Sequence, residues 1–434
     1  MVAPNRRKGR VAIVGGVRTP LIKAGTALRQ MPMTELTRAV IQETLYRLSW
    51  PAGRLDEVIV GNVVMPADAA NPARVAAMQA GVPAHVPALT VQRNCASGME
   101  AVTQAAARIR SGRAQMVMAA GGESMSTIPL LFPNQTLAPM TRLFKAKTLW
   151  QQVTAVAAFR PRHVRPIPGI ELGLTDPLIG MIMGKTADVL AHEFDISRQE
   201  QDAFALQSHR KATRASEAGH FDSQIVPLYA GKRFEPITTD NGPRPNQTME
   251  ALAKLKPIFD RRDGTVTVGN ACQVTDGAAS LLIADADLAR AEGLEPLGYI
   301  RDYATAALDP ARMGLGPVFA IDQLLQKTGL KLDDIGLIEI NEAFAAQVLA
   351  CLKTIASDRF CREHLGRSHA IGPIDPDRLN VNGGAIALGH PVGATGTRIV
   401  LNLMLEMRRR NVEWGIASLC VAGGQGAAIL LQKG

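Results

Sequence analysis

The order of structural signals in this 434-residue chain runs through once and then begins again. Leu55-Asp56-Glu57-Val58-Ile59-Val60, closing at Gly61-Asn62, is echoed by Leu332-Asp333-Asp334-Ile335 and Leu337–Ile340, closing at Asn341. In both places a polar turn leads into a short β-branched run, the pattern of a buried strand. Other elements recur around each copy. Strands at Val11–Val14, Leu89–Val91 and Gln115–Ala120 alternate with helices at Thr34–Leu48 and Asn71–Ala80; strands at Leu297–Ile300, Leu379–Val381 and Ile416–Leu419 alternate with helices at Phe319–Thr328, Ala343–Leu352 and Thr395–Arg410. Strands and helices joined by short turns predict an α/β protein with covered, largely parallel sheets. The repetition predicts duplicated α/β halves. Residues 1–122 with 266–294 form the expected first half, with a strand at Val266–Val268; 123–265 form an inserted loop domain and 295–434 the second half.

One stretch of the first half carries a chemical signal. Leu89-Thr90-Val91 reads as a buried strand, while Met99, Val102, Ala106 and Ile109 have helical spacing. The period changes at Asn94-Cys95-Ala96-Ser97-Gly98, so Cys95 is expected at a helix N-terminus. There the helix dipole lowers a thiol's pKa and favours the nucleophilic thiolate. A small buried hydrophobe is the plainer reading of the same cysteine. In the second half His390 lies in the glycine-rich turn Gly389-His390-Pro391-Val392-Gly393, and Cys420 precedes Val421-Ala422-Gly423-Gly424. Packed about a pseudo-twofold, the halves would bring Cys95 near Asn341, His390 and Cys420, all following predicted strands. A hydrogen-bonded turn histidine and an inert core cysteine are the plainer readings. Gly384 and Gly389 have P-loop spacing, but His390-Pro391 stand where Lys-Ser/Thr are required.

The five cysteines are scattered without a C-x-x-C, so neither a disulfide framework nor a zinc site is expected. The apolar run after Arg6, Arg7, Lys8 and Arg10 is too short for a signal peptide, and no run reaches a membrane span, so a soluble, cytoplasmic protein is expected. The formal charge of +9 fits an anionic cofactor or membrane surface. Without a helix-turn-helix, RNA-binding aromatic signature or zinc-finger spacing, nucleic acid is not an expected partner. Residues 125–170 contain no Asp or Glu, but set Arg142, Lys145, Lys147, Arg160, Arg162 and Arg165 among apolar residues. A solvated basic face is the simplest reading; a dock for a phosphate group, a membrane or a partner subunit better explains the apolar interleaving.

NCASGMEA around Cys95, GTVTVGNACQVTDGAA at 264–279, NEAFAAQ at 341–347, NVNGGAIALGHPVGATGTR at 380–398 and CVAGGQGAA at 420–428 resemble the thiolase family in sequence and order. The basic insert, KLKPIFDRRDGT at 254–265 and the CVAGGQG turn look most like the thiolase subunit of fatty-acid-oxidation trifunctional complexes. The resemblance implies a layered α-β-α-β-α fold and CoA-dependent acyl transfer with carbon–carbon bond cleavage or formation. It makes Cys95 the acyl carrier, His390 its base, Cys420 the acid–base at the acetyl-CoA methyl and Asn341 the holder of an oxyanion-hole water. Cys95 and Ala422 would supply backbone oxyanion donors, and Met183, Cys272, Met313 and Phe344 would line the acyl and CoA sites. Cys272 stands where many members carry Ser, and Asn341 where many trifunctional-complex subunits carry His. Coenzyme A enters as substrate, with no permanently bound cofactor and no metal. A homodimer or dimer of dimers is implied, with a hydratase/dehydrogenase partner or peripheral membrane contact through 125–170. Three other readings stand beside β-oxidation: acetoacetyl-CoA synthesis, a decarboxylating ketoacyl synthase, and a non-catalytic scaffold subunit.

Overall fold

A computed structural model describes residues 10–231 and 234–434; Arg6, Arg7 and Lys8 lie outside the described residues. Nine strands carry the architecture: β1 (Val11–Arg18), β2 (Glu57–Gly61), β3 (Ala88–Val91), β4 (Met116–Glu123), β5 (Thr275–Asp285), β6 (Gly298–Ala307), β7 (Leu337–Ile340), β8 (Trp414–Val421) and β9 (Gln425–Lys433). They follow one another across the sheet as β7-β8-β9-β6-β1-β5-β4-β2-β3. The antiparallel contact of Val11–Ile13 with Gly298–Ile300 joins the halves. On one side of it, β2 lies parallel between β3 and β4, and both β4 and β1 are antiparallel to β5. On the other, β7 is parallel to β8, and both β8 and β6 are antiparallel to β9. Leu379, bridged in parallel to Ile338, takes the place of β3. Strand order and sense are therefore repeated, as a duplicated chain requires.

The helices that matter to the site are α1 (Met33–Arg47), α2 (Pro72–Gln79), α3 (Ser97–Arg110), α4 (Leu137–Lys145), α5 (Leu149–Ala157), α6 (Met183–Glu193), α7 (Arg198–Glu217), α8 (Gly316–Thr328), α9 (Ala345–Ile355) and α10 (Val392–Arg410). Strand side chains alternate between faces, and the core divides accordingly. Val58 and Val60 point outward to α1 and α2, joining Ile41, Leu45 and Ala76. Ile59 points inward, where Met99 and Val102 of α3 meet Ile399 and Leu403 of α10. In the second half Ile338 and Ile340 pack outward with Ile321 of α8 and Val348 of α9. The layers are thus α-β-α-β-α, with α3 and α10 in the middle.

The structure corrects five expectations. The sheet is mixed rather than largely parallel, five of the eight pairings among these nine strands being antiparallel. Leu379–Val381 is not a strand: Leu379 makes a single bridge, and a helical turn at Ala385–Leu388 leads into His390. Leu89–Val91 lies in β3, an edge strand rather than a buried one, and Leu89 is 37% exposed. Val266–Val268 is not a strand: the Thr265 and Val266 N–H groups donate to Asp188 Oδ1 at 2.8 and 3.0 Å. A carboxylate there satisfies backbone that β-branching alone would assign to a sheet. The insert, expected to lack strands, pairs Leu130–Leu131 with Ile167–Pro168 and folds α4 against α5.

The middle layer closes through missing side chains. A β-carbon on Gly98 would lie 2.8 Å from the Gly393 carbonyl oxygen, and one on Gly396 would collide with the Met99 backbone nitrogen. Backbone cannot swing aside as a side-chain tip can. Gly396→Ala is therefore expected to lower the unfolding free energy by about 2 kcal/mol, the usual cost of overpacking, read from the denaturant midpoint.

Candidate active site

The α3–α10 crossing brings two turns together, one between β3 and α3 and one between the short helix Ala385–Leu388 and α10. In the first, Asn94 adopts a positive φ of 41°, which Asn tolerates better than most residues. Ser97 Oγ accepts from the Arg93 N–H at 2.9 Å and donates to the Asn94 carbonyl at 2.7 Å, closing the loop around Cys95. Asn94 Nδ2 then donates across the halves to the Ala422 carbonyl at 2.9 Å. The backbone N–H groups of Ala422 and of Cys95 itself bond to the Cys95 sulfur. Front sulfur and rear turn are in direct contact.

In the second turn His390 is buried and its backbone N–H donates to the Gln273 carbonyl at 3.2 Å. Its Nδ1 lies 2.7 Å from Thr395 Oγ1, whose hydroxyl donates to the Pro391 carbonyl at 2.9 Å. With that hydrogen committed, Thr395 accepts from Nδ1–H, and the network assigns the lone pair to Nε2. Among the described residues Nε2 has no partner, nor does either polar side-chain atom of Asn341, which is likewise buried. Buried polar atoms rarely go unpaired. Each of these three atoms is left available to an oxygen or sulfur of a ligand.

Burial and the nearby Arg398 push the His390 imidazole down to about 3, so it is neutral and able to accept a proton. The expectation of an acidified Cys95 is corrected. Burial pushes its thiol above the ordinary range, more than the two backbone N–H groups draw it down, and the charge of Glu123 adds to the rise. Cys420 is raised well above the ordinary thiol value by burial and by the Cys95, Cys351 and Cys272 thiols nearby. Cys272 is pushed up to about 12, chiefly by burial. All three thiols rest protonated, and Cys95 needs a base.

Two cavities meet here. The larger, about 430 Å³, is lined by Cys272, Phe344, His390 and Phe259, with Lys23 and Arg244 as its charged residues, both cationic. The smaller is lined by Cys95, Val63, Val64, Ala422 and the insert residues Ile128 and Ile170. Met125, Leu174, Met183 and Val392 border both. Cys420 and Asn341 lie buried beneath these walls, whereas Met313 packs in the second-half core and lines neither cavity. Lys23, Arg244 and the role of Thr395 were not anticipated from sequence. Isolated basic residues in loops carry no local signature, and Thr395 becomes significant only once its hydroxyl is seen beside Nδ1.

Residues 11–287 match the family model for the thiolase N-terminal domain, and residues 294–433 that for the thiolase C-terminal domain. The 3-ketoacyl-CoA thiolase of Klebsiella pneumoniae strain 342 is 38% identical over 428 residues, covering 98% of each chain. That of Pseudoalteromonas translucida strain TAC 125 is 39% identical over 425 residues, covering 98% of this chain and 97% of its own. The crystal structure of the Bacillus anthracis acetyl-CoA acetyltransferase aligns at TM-score 0.87 and 38% identity, over 99% of this chain and all of its own. The human mitochondrial 3-ketoacyl-CoA thiolase in complex with CoA aligns at 0.84 and 35%, over 98% of both chains.

A thiol held protonated by burial reacts faster only as its thiolate appears. Inactivation by iodoacetamide is expected to go on accelerating up to about pH 9, because the Cys95 thiol is raised and not lowered. A plateau by about pH 7 would mean a preformed thiolate.

Proposed function

The chain belongs to the thiolase family and is a CoA-dependent acyltransferase; from that premise we propose how its own residues divide the work of cleaving 3-ketoacyl-CoA in fatty-acid β-oxidation. His390 Nε2 takes the Cys95 proton, and the sulfur attacks the 3-keto carbon. The bond between C2 and C3 then breaks, leaving an acyl thioester on Cys95 and an enolate of acetyl-CoA. The Cys420 S–H protonates that enolate. Coenzyme A enters, the Cys420 thiolate takes the proton of its thiol, the coenzyme A sulfur attacks the acyl carbon, and Cys95 leaves and regains its own proton from the His390 imidazolium. Asn341 holds a water facing the first developing oxyanion, and the Cys95 and Ala422 N–H groups face the second.

The observation that carries this reading is the unpaired Nε2 of His390 on the wall of one cavity and, on the wall of the cavity that adjoins it, the Cys95 thiol that two backbone N–H groups approach. Acyl transfer needs a nucleophile, a neutral base and preorganised donors, and these residues supply each of them. In the larger cavity Lys23 and Arg244 suit the phosphates of coenzyme A, while Cys272, Phe344 and Met183 suit its pantetheine arm. Met313 acts behind the acyl wall from the core.

A second reading has its own support. The space beside Cys95 is about 40 Å³, and a cavity needs roughly 10–15 Å³ per water-sized occupant. That space fits an acetyl group, and hence acetoacetyl-CoA as substrate or product. The apolar residues Ile128, Ile170 and Leu174 favour longer chains if the insert yields.

We assign the halves to 1–123 with 266–294 and to 295–434, and the substrate-covering insert to 124–265, since Glu123 is the last residue of β4. The insert exposes Phe144, Leu149 and Trp150 at 75–83% on α4 and α5, beside Arg142, Lys145 and Lys147 and without an acidic residue across 125–170. This face suits a peripheral anionic membrane or, on its apolar stripe, a hydratase/dehydrogenase subunit. The free outer edge of β3 suits a second copy of the chain. No helix of the described residues is long and apolar enough to cross a membrane; a cytoplasmic location is part of the proposal.

Cys420→Ala should still form the acyl-enzyme but lose proton exchange at the methyl of acetyl-CoA, followed by NMR in D₂O; retained exchange would reassign the base. A thiolysis profile across 3-ketoacyl-CoA chain lengths separates the two substrate readings. With vesicles rich in phosphatidylglycerol, emission from Trp150 is expected to shift to the blue, and the shift to be lost in Trp150→Ala. No difference between the two proteins would remove the membrane role.

A further inference from the structure

The repeat places a buried carboxylate in the first half where the second half holds its reactive thiol. Gly61 of β2 pairs with Gly121, two residues before Glu123, and Ile340 of β7 pairs with Ser418, two residues before Cys420. On the other side, Glu123 lies opposite Gly277 of Gly277-Ala278-Ala279, and Cys420 opposite Gly426 of Gly426-Ala427-Ala428. Both registers agree: Asn62 and Glu123 are the structural counterparts of Asn341 and Cys420.

The two pairs are wired differently. Asn341 has neither polar atom engaged, but Asn62 Nδ2 donates to Glu123 Oε1 at 2.9 Å. The same oxygen accepts from the Val64 N–H at 3.3 Å, while Oε2 accepts from the Val63 and Gly393 N–H groups, both at 3.0 Å. Glu123 is fully buried, and a β-carbon on Gly393 would sit 2.8 Å from Oε2. Four N–H donors converge on the two oxygens, and the N-terminus of α10 favours negative charge. Burial works the other way and more strongly, so that even with these donors the group is raised to about 7; the carboxylate is ionised over the alkaline range in which a buried thiol becomes reactive.

We infer that Glu123 is a positioning residue for acyl transfer, clamping the Val63–Val64 wall of the Cys95 cavity to the helix that follows His390 and setting a fixed negative charge against the Cys95 thiol. Val63, Val64 and Val392 all border that cavity, so the clamp sets its width across the two halves. The groups whose charge bears on these thiols are Glu123 for Cys95, Cys95 and Glu342 for Cys272, and Cys95, Cys272 and Cys351 for Cys420. This inference rests on Cys95 being the nucleophile.

Glu123→Gln turns one acceptor oxygen into a donor facing N–H groups and removes the charge. Its kcat for thiolysis should fall at least about tenfold, as misplacement of reacting groups commonly causes, with KM for the CoA thioester little changed. Its iodoacetamide inactivation profile should move to lower pH. Glu123→Asp keeps the charge but is too short to reach all four donors, so kcat should fall while the alkylation profile stays put. If the Gln variant does not fold, the Asp variant carries the test alone. An unchanged kcat in either folded variant, or an unmoved alkylation profile in Glu123→Gln, would overturn the inference. Failure of iodoacetamide to label Cys95 in the unaltered protein would instead overturn the assignment of the nucleophile.

Discussion

The close approach of α3 and α10 is the constraint on which the site depends. Each helix follows a turn carrying one of the proposed site residues, Cys95 or His390. Gly98 and Gly396 let the two backbones meet at distances no β-carbon would permit, and Thr397 Oγ1 donates to the Gly98 carbonyl at 3.0 Å across the contact. Were the helices one side chain further apart, the Ala422 N–H would not reach the Cys95 sulfur. The proposed catalytic geometry is thus a consequence of packing between the proposed halves, Cys95 coming from one and His390 from the other.

Burial does two opposed things at this junction. It makes His390 a neutral base by excluding charge from its ring, and it keeps Cys95 and Cys420 protonated for the same reason. In the proposed reaction a resting thiol and a resting imidazole exchange a proton only when a thioester enters and the new charge finds its donors. Among the described residues Nε2 and the Asn341 amide have no partners, which costs stability and leaves them available to a ligand. Glu342, which accepts from Ser208 Oγ at 2.6 Å and Asn380 Nδ2 at 2.9 Å, anchors the strand end that carries Asn341.

Much of this was legible in the residues. The change of period at Asn94–Gly98 located the first turn, and the echo of Leu55–Asn62 in Leu332–Asn341 located the repeat that the strand order reproduces. What escaped was decided at a distance. Val266–Val268 has the composition of a strand, but Asp188, far away in sequence, binds its backbone. The Cys95 thiol was expected to be acidified by its helix; the local dipole is outweighed by surrounding protein that no local pattern reports. From sequence Glu123 reads as the first residue of the insert, because its four donors come from residues 62–64 and 393.

The central claim is that a sulfur from the first half and an imidazole from the second act on one carbonyl. It is tested most directly by rapid-quench digestion with trypsin after mixing with acetyl-CoA, following the acyl mass on the peptide Asn94–Arg108. The account predicts stoichiometric acetylation of Cys95 in the unaltered protein, and in His390→Ala a rate of acetylation lower by about a hundredfold or more, the usual worth of a positioned base. Acetylation of that peptide at an unchanged rate without the imidazole, or its absence from the unaltered protein, would contradict it.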